Sequence, residues 1–70
     1  MSNSNDAKEL LIDLLARLRF LEEVEAEDAF YFEVGEDLRM LIPQVLDEEN
    51  LQAVENVLNT KYREPQEDTE

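Results

Sequence analysis

An all-α fold, a small three-helix antiparallel bundle, is the class this chain predicts, and three features point to it. Apolar residues recur at three- and four-residue spacing in three separate segments. One glycine and two prolines in 70 residues leave too few turn-formers for a chain of hairpins. Two aspartates stand where helices would start, Asp6 before the first segment and Asp47 before the last. The helices are expected at about residues 6–25, 29–42 and 47–61, in one domain over 6–62. A flexible polar tail at 1–5 and a disordered acidic tail at 63–70 flank it.

The first helix opens with "DAKE", in which Asp6 can accept from the first turn while Glu9 reaches back, a capping box with aspartate in the cap. Ala7, Leu10, Leu11, Leu14, Leu15, Leu18, Leu21 and Val24 then define one broad apolar face over about five turns. Its end carries no glycine or proline signal, so the chain is expected to turn somewhere between Val24 and Asp28.

The second segment, "AEDAFYFEVGEDLRMLIP", fits two periods. As a strand, Phe30, Phe32 and Val34 would share a face. As a helix, Phe30, Val34, Leu38, Leu41, Ile42 and Val45 share one, and this longer count decides for a helix. A lone strand would also leave its backbone groups unpaired. Gly35 costs a helix interior about 1 kcal/mol relative to alanine and marks a kink or a break. Pro43 removes the hydrogen bond to residue 39, so this helix is expected to end or bend near Ile42.

The third helix is announced by Asp47 as cap, by Glu48 and Glu49 at the positive end of the dipole, and by Leu46 and Leu51 at the spacing of a hydrophobic staple. Leu51, Val54, Val57, Leu58 and Tyr62 form its apolar face, with Lys61 and Arg63 at the end that favours cations.

Histidine and cysteine are absent, which removes disulfides, thiolate nucleophiles, imidazole bases and the usual zinc ligand sets. A single glycine rules out glycine-rich phosphate loops. The carboxylates show no EF-hand spacing and lie on faces without an apolar stripe to bury them, so neither a metal site nor a tuned acid–base pair is expected. The expectation is therefore no enzyme, no cofactor and no metal. The N-terminal residues lack the pattern of a signal peptide and no apolar run approaches about 20 residues, which leads to the expectation of a cytoplasmic protein.

Nineteen acidic residues against six basic ones give a formal net charge of -13, which repels nucleic acid and anionic membranes and complements a basic protein. The densest run is Glu22, Glu23, Glu25, Glu27, Asp28, Glu33, Glu36 and Asp37, with no Lys or Arg before Arg39. On one continuous helix these charges would fall about every 3 Å, close to the roughly 3.4 Å per phosphate of a DNA strand. An ordinary solvated face is the alternative use of such a run. A second candidate surface joins Ile12, Ala16 and Phe20, at four-residue spacing on the side of helix one away from its leucine face, with Phe32 and Met40. Tyr31 and Tyr62 suit either an interface rim or the edge of the core.

The function that follows is a non-enzymatic acidic binding module or inhibitor. It would dock its carboxylates on a basic partner, such as a nucleic-acid-binding protein, in imitation of nucleic acid. The competing function is an oligomeric adapter or assembly protein, beginning with a homodimer, that works through the Ile12, Ala16 and Phe20 seam.

Overall fold

The computed structural model describes residues 4–63, with side chains from residue 6 onward, and every regular element among them is helical. Helix α1 spans Ser4–Glu23, α2 spans Glu36–Val45 and α3 spans Glu48–Val57. A π-helical turn, Tyr31–Gly35, leads into α2, and a second, Leu58–Tyr62, continues α3. The expected outer tails fall largely on residues 1–3 and 64–70, outside the described residues.

Helix α1 begins two residues before Asp6, so Asp6 lies inside its first turn instead of capping it. Its end is a Schellman motif: the Ala26 amide donates to the Leu21 carbonyl (3.0 Å) and the Glu25 amide to the Glu22 carbonyl (3.1 Å). Glu25 fills the left-handed position with φ of 54°, the place normally held by glycine. An L-residue there is disfavoured by about 1–2 kcal/mol. Glu25→Gly is therefore expected to raise stability by about 1 kcal/mol, visible as a higher urea midpoint with an unchanged slope. A lower midpoint would show that the Glu25 side chain holds the turn.

Asp28 restarts the helix by accepting from the Tyr31 amide at 3.1 Å, while its own carbonyl accepts from the Phe32 amide at 3.0 Å. The chain stays helical through Gly35 and past Pro43 to Val45, three residues beyond the expected end. Pro43 sits in the last turn, where its missing donor affects only one helical bond. The Leu46 amide still reaches the Ile42 carbonyl at 3.2 Å, and the Gln44 side-chain amide donates to the Met40 carbonyl, also at 3.2 Å. Asp47 caps α3 as its position indicated, accepting from the Asn50 amide at 3.1 Å and from Asn50 Nδ2 at 2.8 Å.

The core is Ile12, Leu15, Ala16 and Leu18 from α1, Tyr31, Ile42 and Leu46 from the second segment, and Val54 and Leu58 from the third. Helix α1 is its common element. It packs against α2 on one side and against α3 with its π-helical extension on the other. That arrangement corrects two expectations. Ile12 and Ala16 are buried in the core, not on a spare outer face, because α3 takes the side of α1 that the leucine face leaves open. Leu10 and Val24, counted as inward, are exposed, Val24 because it follows the last residue of the helix.

The second correction concerns the inner face of the second segment. Phe30, Val34, Leu41 and Val45 point outward, and the residues that follow them, Tyr31, Gly35, Ile42 and Leu46, are buried in their place. A displacement of one residue is a rotation of about 100°. Its cause lies at Gly35, where a Cβ would stand 2.9 Å from Leu18 Cδ2 and 3.0 Å from Tyr31 Cδ1. The helix turns its side-chain-free spot toward α1 and approaches more closely than any larger residue would allow.

Candidate binding surface

Three of the eight carboxylates singled out by the sequence have structural partners. Glu22 pairs with Arg39 Nη1 at 3.2 Å and ties the end of α1 to α2. Glu23 receives two hydrogen bonds from the Arg63 guanidinium, one from Nε at 2.9 Å, and these hold its carboxyl below the ordinary carboxylate range. Asp28 caps the second helical segment. The remaining five, Glu25, Glu27, Glu33, Glu36 and Asp37, are exposed, and none forms an ion pair among the described residues.

The basic residues are arranged differently. Arg19, Lys61 and Arg63 join Glu55, Asp13 and Glu23 between α1 and the third helical segment, and Arg39 joins Glu22. Asp13 is the busiest of these acceptors: its Oδ1 takes Lys61 Nζ and Tyr62 Oη, both at 3.0 Å. Burial, followed by this hydrogen bond and the negative charge of Asp13, pushes the Tyr62 phenol above its ordinary 10.0. The hydrogen bond to Asp13 is also the main reason that Lys61 is raised. The Tyr62 ring lies 6.1 Å from that of Phe20 and closes the edge of the core, whereas Tyr31 is buried within it. The cations are thus gathered along the contacts of α1 with its neighbours, and the stretch from Glu25 to Asp37 is left uniformly negative.

The seam residues are not brought together on one outer face. Ile12 and Ala16 are internal, Phe20 is half-buried against Tyr62, and Phe32 and Met40 stand 60% and 64% exposed on the second segment. Periodicity missed the exposed stripe Phe30, Val34, Leu41 and Val45, having assigned all four to the core. Only the glycine, read as a contact point instead of a break, carries a signal that would have turned the helix the right way.

An open groove of about 920 Å³ runs between the first half of α1 and the third segment, floored by Ile12, Ala53 and Val57 and edged by Asp13 and Lys61. A smaller hollow of about 300 Å³ lies between Leu21, Tyr31, Phe32 and Arg39. Neither brings together a nucleophile, a base and an oxyanion donor. Among the described residues no cluster of three or more carboxylates is gathered to hold a metal ion, and no helix is long and apolar enough to cross a membrane. No family model, curated protein or solved structure matches this chain.

Proposed function

We propose that this protein is a non-enzymatic binding module that docks the carboxylate-rich surface of residues 25–37 on a basic protein. The observation that carries the reading is the division of charge. Glu25, Glu27, Glu33, Glu36 and Asp37 are exposed without an ion pair among the described residues, while four of the six cations pair along the helix contacts. Such a one-signed surface steers an oppositely charged partner and penalises acidic ones.

Imitation of a nucleic-acid strand is not retained. It needed one straight helix through residues 22–37, and the left-handed turn at Glu25 breaks that row. Nor does a homodimer through α1 follow, because Ile12 and Ala16 are occupied by the chain's own core. The antiparallel order expected from the short connections between helices stays part of the reading.

The test is affinity capture from native lysate at low and high salt, with the unaltered chain and a variant carrying Gln at 25, 27, 33 and 36 and Asn at 37. Basic proteins held at low salt by the unaltered chain, released by salt and missed by the variant are the expected result. Equal capture by both chains would sink the reading.

A further inference from the structure

The outward face of the second helical segment carries an apolar stripe that the monomer leaves uncovered. Phe30 is 41% exposed, Val34 42%, Leu41 54% and Val45 69%, with Leu38 half-buried between them. Across residues 30–45 the stripe is about 22 Å long at 1.5 Å per residue, four turns of helix. Glu33 and Asp37 are interleaved with it: Glu33 lies three residues after Phe30, and Asp37 lies three after Val34 and four before Leu41. Both carboxylates are exposed and neither has an ion pair among the described residues. The only cation of α2, Arg39, is held by Glu22.

We propose that this stripe is the seat of one amphipathic basic helix from another protein. The partner's apolar face would lie along Phe30, Val34, Leu41 and Val45, and its flanking Lys or Arg residues would meet Glu33 and Asp37. The inference rests on the basic-partner reading above and adds to it the form of the partner and the residues it covers. Length and pattern suit a helix, since an amphipathic helix in an apolar groove contacts it through residues at i, i+3, i+4 and i+7. Charge selects its sign. A second copy of this chain is the poorer occupant: antiparallel pairing about the midpoint of residues 30 and 45 sets the two Asp37 carboxylates against each other. Parallel pairing sets Glu33 against Glu33. Like charges so placed oppose association.

A synthetic leucine–lysine peptide with its leucines at helical three- and four-residue spacing tests this, beside a peptide of the same composition scrambled to remove the apolar face. Binding is read by fluorescence anisotropy against the unaltered chain, the Leu41→Ser/Val45→Ser variant and the Glu33→Gln/Asp37→Asn variant. All four side chains are exposed, so the variants should keep the fold, which far-UV circular dichroism checks. If the serine pair unfolds the chain, Phe30→Ser/Val34→Ser replaces it.

The expected result is preference for the patterned peptide by tenfold or more. That preference should vanish in the serine variant and weaken several-fold in the charge variant. Equal salt-sensitive binding of both peptides would overturn the apolar seat while leaving the basic-partner reading intact. Binding of neither would overturn both. Sedimentation of the chain alone as a dimer that the serine pair dissolves would overturn the proposal in favour of a second copy.

Discussion

Leu18→Ala is expected to destabilise the protein by about 2–5 kcal/mol, the usual loss for truncating a buried leucine when its surroundings cannot collapse into the void. Leu18 has no exposed surface and sits where α1 meets the Tyr31–Gly35 turn. A domain of 70 residues holds together by only about 4–10 kcal/mol, so this one substitution removes much of its stability. Thermal unfolding followed by circular dichroism should show a midpoint at least about 10 °C lower, since each kcal/mol moves a domain of this size by about 4–8 °C. Leu10→Ala is the matched control. Sequence spacing assigns both leucines to one face, but Leu10 is 71% exposed and its replacement should change the midpoint little. Equal losses at the two positions would mean that α1 presents the face its periodicity indicates and not the one described here.

Helix existence was legible in the sequence, and helix orientation was not. Residues that work through their immediate neighbours were readable: Asp47 caps α3 because its side chain needs only the next turn. The rotation of a helix depends on what lies across from it, and the count of Phe30, Val34, Leu41 and Val45 contains nothing about Leu18. Likewise, Ile12 and Ala16 looked spare only while α1 was assigned a single neighbour, although it receives one on each side. Glu25 left no sequence signal because a rare backbone state was occupied by an ordinary residue.

The charged surface divides in the same way. That residues 22–37 would be a negative surface followed from composition alone. That Glu22, Glu23 and Asp28 are held by Arg39, Arg63 and the Tyr31 amide depended on contacts no spacing encodes.

Gly35→Val should show how tightly α1 and the second segment are coupled. A Cβ at this position would meet Leu18 Cδ2 at 2.9 Å, Tyr31 Cδ1 at 3.0 Å and Tyr31 Cβ at 3.3 Å, and neither side chain can swing into water because both are buried. Alanine would recover about 1 kcal/mol of helix propensity against this crowding. Valine gains less in a helix and adds two more methyl groups, so overpacking of about 1–3 kcal/mol or more prevails. A urea midpoint well below that of the unaltered chain is expected, with Gly35→Ala in between. Combining Gly35→Val with Leu18→Ala should cost less than the sum of the single losses, because removing Cδ2 of Leu18 opens the space that the valine requires. Residues in direct contact couple by about 0.5–3 kcal/mol in such cycles. Strict additivity would place the two residues apart, and with it would go the reason given for the outward turn of Phe30, Val34, Leu41 and Val45.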